Sequence, residues 1–229
     1  MPARSRPIVA IDGPSGSGKS TVSKMLAERL NFVYLDTGAM YRCVGLLARR
    51  AGCDPLDAAA LAPLLESLSI HFEPDGHGGQ RVFCNREDVT AEIRRHEVSQ
   101  AASQASSVPA VRTRLVAMQR QMGAGGGVVM EGRDIGTNVF PDAEIKVFLV
   151  AGDEERARRR VLELARRGQS VDFAQVLADQ RERDRRDSER DLNPLRQAPD
   201  AVALDTTGLS IEQVVDRLAE LVAAAGGRA

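Results

Sequence analysis

The sequence contains no tryptophan, and aromatic residues make up only 3% of its 229 residues. A chain of this composition offers few aromatic platforms on which nucleic-acid bases could stack. Its 31 basic and 32 acidic residues give a net charge of −1. This balance argues against general binding to nucleic acids or membrane surfaces, because both attract an excess of positive charge. We therefore expect neither nucleic acid nor a membrane among its partners.

Cysteine and histidine are also scarce. The three cysteines, Cys43, Cys53 and Cys84, lie far apart and form no Cys-x-x-Cys pair, which is typical of reduced thiols in a cytoplasmic protein. The three histidines are not at ligand spacing, so no transition-metal site is predicted. No apolar run approaches the roughly 18 residues of a membrane-spanning helix, and the stretch before the first apolar run is too short for a signal peptide. We expect a monomeric protein of the cytoplasm.

The most informative stretch is the glycine-rich turn that follows the first apolar run, Ile8–Asp12. Gly13 and Gly18-Lys19-Ser20 match the phosphate-loop pattern, with four residues between the two glycines. Glycines let the backbone bring its N–H groups close to phosphate oxygens, and the start of the following helix favours an anion. The pattern predicts a loop that binds a nucleoside triphosphate, made of Gly13, Pro14, Ser15, Gly16, Ser17, Gly18, Lys19, Ser20 and Thr21.

Three side chains of this loop have the chemistry that a triphosphate needs. Lys19 can carry positive charge to the terminal phosphates, and the Ser20 hydroxyl can hold the Mg²⁺ that accompanies ATP. Thr21 is a further hydroxyl that could donate to a phosphate. A glycine turn that contains a lysine by chance is the alternative, but the strand signal before it and the helix signal after it disfavour that interpretation.

Strand and helix patterns alternate after the loop. An apolar run at 32–35 precedes a helical pattern at 39–51, and short apolar runs recur at 128–130, 144–150 and 202–204 before a terminal helix. This alternation predicts a parallel sheet with right-handed crossovers, whose ligands bind at the carboxyl ends of the strands. We therefore predict an α/β fold, a P-loop kinase core with a five-stranded parallel sheet flanked by helices.

Residues 69–90 interrupt this alternation. Alternating apolar residues flank the turn cluster 74–79, which predicts a small antiparallel β insert, either a hairpin or a three-stranded unit. Helical patterns at 54–68, 91–107 and 109–122 precede and follow it in the sequence.

Arginine is concentrated in two charged helical patterns, 153–167 and 172–190. In the first, Arg156 and Arg160 are four residues apart and therefore share a face. They could belong to a short helical lid that closes over the triphosphate and excludes water, which would otherwise take the phosphate. The alternative is a solvated helix with two ion pairs, Glu155–Arg159 and Glu163–Arg167.

The second charged helix places Arg183, Asp187 and Arg190 on one face, at spacing i, i+4 and i+7. A plain charged surface helix explains this spacing, but an Arg–Asp–Arg face could instead meet a sugar and a base. Guanidinium groups bind phosphates through paired hydrogen bonds and stay charged, as phosphoryl transfer requires. The Asn-Lys-x-Asp motif with which GTPases read guanine does not occur in the sequence, which disfavours that class.

Several blocks of sequence occur together in a specific order. They are Gly13–Ser20, Leu35–Arg42, Ala101–Gln104, Glu131–Thr137, Phe140–Ala143 and Arg181–Asp184. In this order they resemble the bacterial cytidylate kinases, and the similarity extends over almost the whole chain. The resemblance implies a phosphotransferase that converts ATP and CMP or dCMP to ADP and CDP or dCDP, with Mg²⁺.

The resemblance also implies how the chain is divided. It implies a single P-loop kinase domain over 1–229. Its parts would be a core (1–36, 108–152 and 191–229), a monophosphate-binding part with the insert (37–107) and a lid with the following charged helix (153–190).

Roles for individual residues follow from the same resemblance. Arg42 and Arg133 would hold the monophosphate. Two further sets would surround the nucleoside: Thr37, Arg112, Asp134 and Arg190 the cytosine, and Ser103, Arg183 and Asp187 the ribose. The catalytic set would be Lys19, Arg133, Arg156 and Arg160. Cytosine offers an amine to a carboxylate and two acceptors to guanidinium or hydroxyl groups, so such a pocket should disfavour UMP.

Without the resemblance, Ser103 and Arg112 would be interpreted as solvated helix positions. Simpler interpretations also exist for three further residues. Asp134 could form a strand-end ion pair with Arg133, Thr37 could be only a helix N-cap, and Arg42 could only pair with Asp36. The alternative functions are a kinase for UMP or for a non-nucleotide metabolite, and a nucleotide sensor without turnover.

Overall fold

Residues 4–76, 79–166 and 168–226 are described by the structure, a computed structural model of the chain. They form eight strands and eight α-helices. The strands are β1 (Ile8–Asp12), β2 (Val33–Asp36), β3 (Ile70–Pro74), β4 (Gln80–Cys84), β5 (Glu87–Asp88), β6 (Val128–Gly132), β7 (Ile145–Val150) and β8 (Val202–Asp205). The helices are α1 (Lys19–Leu30), α2 (Thr37–Arg50), α3 (Ala58–Glu66), α4 (His96–Ala105), α5 (Pro109–Gly123), α6 (Asp153–Arg166), α7 (Phe173–Glu189) and α8 (Ile211–Gly226).

Strand β1 lies at the centre of a five-stranded sheet with the order β2-β6-β1-β7-β8. It pairs in parallel with β6 and β7, and β8 pairs in parallel with β7. Every residue of β1 is buried, as is usual in parallel sheets whose two faces are covered by helices. The predicted five-stranded parallel sheet is confirmed. Strands β3, β4 and β5 form a separate antiparallel sheet, which is the three-stranded form of the insert predicted at 69–90.

Two compact units divide the chain. Met1–Tyr34 with Gly125–Ala229 form the first, and Leu35–Ala124 form the second. In the core of the first unit, Ile11 of β1 and Leu149 of β7 join the same apolar cluster as Leu26 of α1. All three side chains are fully buried, and each such burial stabilises the fold by about 1.5–3 kcal/mol. The core therefore fixes the strands whose ends carry the candidate site.

The second unit has a core of its own. It joins Met40 of α2, Leu61 of α3 and Leu115 of α5 in one apolar cluster, which also includes Ile70 and Val82 of the antiparallel sheet. The insert is thus packed on these helices within the second unit through one face.

The carboxyl ends of β1 and β6 lie level in the sheet, because Asp12 is the register partner of Gly132. The glycine-rich loop that begins at Gly13 and the dipeptide Arg133–Asp134 therefore leave the sheet at the same edge. This is the edge at which parallel α/β sheets bind their ligands.

Two local features differ from the sequence prediction. The helical pattern at 91–107 is interrupted, since a 3₁₀ turn at Glu92–Arg94 precedes α4 and Arg95 between them is extended, with ψ 148°. A π-helical turn, Ile135–Val139, follows β6 where the sequence predicts no helix. Three residues of predicted features, His77, Gly78 and Arg167, lie outside the described residues. Within the described ranges no helix has both the length and the apolar character that crossing a membrane requires.

Candidate active site

The predicted phosphate loop connects β1 to α1. Its three glycines at Gly13, Gly16 and Gly18 have φ values of 147°, 78° and 89°, a region that favours glycine. A Cβ atom at Gly13 would overlap the carbonyl oxygen of Leu149 on β7. The glycine pattern thus has the structural reason that the sequence suggested, a tight backbone turn against the sheet at the start of a helix.

Lys19, the first residue of α1, turns back over this loop. Its side chain is buried, and its Nζ atom donates to the Pro14 carbonyl at 2.5 Å and to the Ser17 hydroxyl at 3.3 Å. Burial lowers the pKa of Lys19 to about 7, and the positive charge of Arg133 acts in the same direction. A bound anion would oppose both effects, which makes this position well suited to phosphate.

The outer side of the loop is held by Arg156 of α6. Its Nη1 atom donates to the Ser15 carbonyl at 2.7 Å and to Asp184 at 2.5 Å, and its Nη2 atom donates to Asp153 at 2.6 Å. Asp184 of α7 in turn accepts from the Ser15 amide at 3.3 Å. Arg156 is 3% exposed. The structure therefore brings one of the two predicted lid arginines to the phosphate loop, where it contacts the backbone.

Arg160, the second predicted lid arginine, makes a different contact. Its Nη1 atom donates to Glu163 on the same helix at 2.8 Å. The alternative pair Glu155–Arg159 is present, with Nε and Oε1 3.0 Å apart. The pair Glu163–Arg167 lies outside the described residues. Helix α6 therefore has one arginine at the phosphate loop, Arg156, as the lid interpretation predicted. It also has ion pairs along its own surface, as the alternative of a solvated helix predicted.

Arg159 is a candidate that sequence reasoning did not select. It donates to the hydroxyl and the carbonyl oxygen of Thr206, at 3.1 and 3.0 Å. A Cβ atom built at Gly18 would lie 3.8 Å from its Nη1 atom, so this guanidinium borders the phosphate loop. Its position three residues after Arg156 on a helix was the signal that could have identified it.

Asp187 of α7 lies within a group of three arginines. Its Oδ2 atom accepts from Arg133 Nε at 2.9 Å and lies 4.0 Å from Arg183 Nε, and its Oδ1 atom lies 3.9 Å from Arg190 Nη1. Burial acts to raise the pKa of Asp187, but the charges of Arg133, Arg183 and Arg190 outweigh it and hold this pKa below its usual value. Arg133, Arg183 and Arg190 thus concentrate guanidinium groups around Asp187, and such groups favour an anionic ligand.

Asp134 lies at the end of β6 and is buried. Its carboxylate accepts from Arg190 Nη2 at 3.3 Å and from the side-chain amide nitrogen of Asn138, Nδ2, at 3.0 Å. Its sequence neighbour Arg133 pairs with Asp187 instead. The predicted alternative, an ion pair between Arg133 and Asp134, is therefore wrong for the described residues. Arg133 and Asp134 are neighbours in the sequence, but their side chains point in different directions. Arg133 pairs with Asp187 and Asp134 pairs with Arg190, both of which follow α6 in the chain.

In the second unit, Asp36 and not Thr37 caps helix α2. The Asp36 carboxylate accepts from the Ala39 amide at 2.9 Å, and Thr37 is the buried first residue of the helix. The alternative role of Thr37 as an N-cap is therefore wrong. The pairing of Arg42 with Asp36, which was the alternative to a role in monophosphate binding, is present, with Nη1 and Oδ2 3.6 Å apart.

Ser103 and Arg112 lie on α4 and α5 of the second unit. The Ser103 hydroxyl is buried and has no hydrogen-bond partner among the residues that the structure describes. A buried hydroxyl without a partner is unfavourable, so a ligand hydroxyl would stabilise this position. Arg112 is 1% exposed, and its guanidinium lies 5.8 Å from the ring centroid of Tyr41.

Asp12 is the second residue that sequence reasoning passed over. It ends β1 directly before the loop, is 5% exposed, and accepts from the Ile135 and Gly136 amides, both at 2.8 Å. Burial raises the pKa of Asp12 to about 6, although these two hydrogen bonds act in the opposite direction. The available signal was a carboxylate as the last residue of an otherwise apolar strand.

Comparison with known sequences identifies the same family by a family profile and by individual relatives. The family profile of cytidylate kinase matches residues 9–224. A cytidylate kinase of Pelotomaculum thermopropionicum is 53% identical over 218 residues, covering 95% of this chain and 96% of the relative. A cytidylate kinase of Geobacillus kaustophilus is 52% identical over 214 residues, covering 93% of this chain and 95% of the relative.

Comparison with solved structures supports the fold alone. An uncharacterized protein from Eubacterium ventriosum superposes with a TM-score of 0.51 at 15% sequence identity, covering 95% of this chain and 98% of that one.

Proposed function

The chain belongs to the cytidylate kinase family, and from this premise we propose that it transfers the γ-phosphoryl group of ATP to CMP or dCMP, giving ADP and CDP or dCDP. The observation that carries the proposal is the shared sheet edge of the first unit. The phosphate loop with Lys19 leaves this edge after β1, and the Arg133–Asp134 dipeptide leaves it after β6. The loop amides and Lys19 could bind a triphosphate, and the guanidinium group of Arg133 could bind the phosphate of a second ligand.

We assign the triphosphate to the loop amides and to Lys19. The transferring phosphoryl group is loosely bonded and spreads its charge, so catalysis depends on positioning and electrostatic stabilisation. Lys19 is buried at the loop, and a bound triphosphate would favour its charged ammonium form. Arg156 orders the loop through Ser15, and Arg160 belongs to the same helix, so we retain both in the proposed catalytic set.

Ser20 is the proposed Mg²⁺ contact. Its hydroxyl is an oxygen donor of the kind that Mg²⁺ prefers, and Ser20 is exposed in the first turn of α1, next to Lys19. When bound, Mg²⁺ would neutralise part of the charge of the phosphates.

We assign the acceptor monophosphate to Arg42 and Arg133. Cytosine is assigned to Asp134 and Arg190 with Thr37 and Arg112, and the ribose to Arg183 and Asp187 with Ser103. The Asp134 carboxylate can accept from the cytosine amine, whereas the carbonyl of uracil at that place would meet it oxygen to oxygen. No general base is needed, because a phosphate monoester with a second pKa of about 6 is already an anion at neutral pH.

The remaining assignments extend the same proposal. We assign residues 37–107 to monophosphate binding and residues 153–190 to a lid with its following charged helix, within one kinase domain. We place the protein in the cytoplasm as a monomer that acts in pyrimidine nucleotide metabolism. The free thiols of its three cysteines are consistent with a reducing compartment.

A coupled assay of ADP release with CMP, dCMP, UMP and AMP tests the proposal. We expect kcat/KM for CMP and dCMP to exceed that for UMP by at least about 100-fold, because a buried carboxylate rejects a ligand whose facing group cannot donate to it. ADP release that does not depend on CMP, or equal rates for all acceptors, would contradict the assignment. Binding of ATP without any phosphoryl transfer would favour a nucleotide sensor.

A further inference from the structure

The Asp12 carboxylate joins two segments that the mechanism uses. Each of its oxygens accepts one backbone hydrogen bond, Oδ1 from Ile135 and Oδ2 from Gly136, both at 2.8 Å. The carboxylate is buried at the end of β1, one residue before the phosphate loop begins. The contact therefore does not depend on a mobile surface side chain.

Ile135 and Gly136 are the first residues of the π-helical turn Ile135–Val139. The first N–H groups of any helical turn have no partner within the turn and need one from elsewhere. Asp134, the residue before the turn, provides no side-chain cap. Asp12 supplies this cap from the neighbouring strand, with one oxygen for each amide.

The same residue also holds the other end of the Arg133–Asp134 dipeptide. Gly132, directly before the dipeptide, is the backbone register partner of Asp12 in the parallel sheet. Asp12 thus restrains the chain on both sides, by its backbone before Arg133 and by its carboxylate after Asp134. The dipeptide has little freedom to shift, and Asp134 is kept at φ −147° and ψ 29°.

We propose that Asp12 is a positioning residue for the acceptor nucleotide, which sets the direction of the Arg133 and Asp134 side chains through the amides of Ile135 and Gly136. This inference rests on the proposed function, in which those two side chains hold the monophosphate and the cytosine. It assigns to Asp12 no contact with substrate.

A carboxylate is required for this role because both amides are donors. An asparagine of the same shape has one oxygen and one NH₂ group, so Asp12→Asn leaves one amide facing another donor. A buried donor that loses its partner is unfavourable, and the turn should shift to relieve it. Displacements of about 1 Å at positioning groups can reduce rates by about 100-fold.

The test compares Asp12→Asn with Asp57→Asn. Asp57 also accepts from two adjacent backbone amides, Ala59 at 2.9 Å and Ala60 at 3.2 Å, but it caps α3 in the second unit. We expect Asp12→Asn to raise KM for CMP by at least about ten-fold and to lower kcat, while KM for ATP changes less than about three-fold. Asp57→Asn should leave both KM values within about two-fold of the wild type. Equal changes in both KM values, or none, would overturn the proposal.

Amide hydrogen exchange in the ligand-free wild type provides a second measurement. We expect the Ile135 and Gly136 amides to be strongly protected, and to exchange faster in Asp12→Asn. Exchange as fast as at the exposed Thr137 would overturn the proposal even if Asp12→Asn does not fold. If the wild type does not phosphorylate CMP, the proposed function fails, and the exchange data alone then decide whether Asp12 orders the turn.

Discussion

The Nε atom of Arg133 lies 2.9 Å from Oδ2 of Asp187, which links the end of β6 to the last turn of α7. The two side chains are 18% and 6% exposed, so the pair is largely shielded from water. Among the described residues, Arg133 makes its other hydrogen bond through Nη1, to the Gly132 carbonyl at 3.3 Å. Its Nη2 group is therefore available to a phosphate oxygen while Asp187 fixes the guanidinium plane.

Replacing Asp187 with asparagine should weaken both stability and acceptor binding. Three arginines would lose their shared carboxylate, and breaking a buried ion pair lowers the free energy of unfolding by about 3 kcal/mol. We expect KM for CMP to rise more than KM for ATP in the Asp187→Asn variant. Urea denaturation and steady-state kinetics measure the two effects. The exposed Asp191 provides a matched control, Asp191→Asn, and equal losses in both variants would contradict the role of Asp187.

Replacing Lys19 with methionine should stop turnover and leave the fold intact. Loss of one preorganised charge at a transferring phosphoryl group reduces kcat by at least about 100-fold. Thermal stability should not decrease, since burial already disfavours the charged form of Lys19 and a buried cation is costly. Lys24→Met on the same helix is the control in the ADP-release assay. Near-normal turnover of Lys19→Met would exclude the phosphate loop from the mechanism.

Adding a methyl group at Gly16 should damage the loop more than the same change at Gly52. Both glycines have positive φ, 78° and 66°, so both substitutions carry a backbone penalty of about 1–2 kcal/mol. Only at Gly16 would the new Cβ meet neighbours, 2.7 Å from Gln180 Nε2 and 3.1 Å from Arg156 Cβ, whereas nothing lies within 4 Å at Gly52.

We therefore expect Gly16→Ala to lower kcat/KM for ATP by at least about ten-fold, measured by ADP release at saturating CMP. Gly52→Ala should stay within about two-fold of the wild type. Equal activity of the two variants would show that the contacts of Gly16 with α6 and α7 do not shape the loop.

The stability difference between wild type and Asp12→Asn should depend on pH. The pKa of Asp12 is about 6 in the folded state and about 3.9 in an unfolded chain. Between pH 4 and 6 the folded state therefore retains a proton that the unfolded state loses. The free energy of unfolding of the wild type, relative to the variant, should fall by up to about 3 kcal/mol as pH rises through this window.

Urea denaturation at pH 4, 5, 6 and 7 measures this difference, and Asp57→Asn provides the control for loss of an exposed capping carboxylate. A relative stability that rises from pH 4 to 6, or stays constant, would show that Asp12 is not held in a buried site.

Local sequence patterns were sufficient to predict the sheet, the phosphate loop and the antiparallel insert. Their signals, such as the glycine spacing before Lys19 and the apolar runs, depend on residues close together in the chain. The resemblance to a family also assigned roles to residues such as Asp187, and those roles stay predictions.

Pairings between distant segments could not be predicted in the same way. The alternative that the sequence left open for Asp134, an ion pair with its neighbour Arg133, is wrong. In the fold Arg133 pairs with Asp187 and Asp134 pairs with Arg190. The contact from Asp12 to the turn after β6 spans 123 residues. Such partners depend on strand register and helix placement, which no local pattern contains.

A crystal structure of the protein with CMP bound would test the central claim most directly. The account predicts that the cytosine amine lies within hydrogen-bond distance of the Asp134 carboxylate and that the monophosphate contacts Arg133. Cytosine bound away from Asp134, with a phosphate that does not touch Arg133, would contradict it.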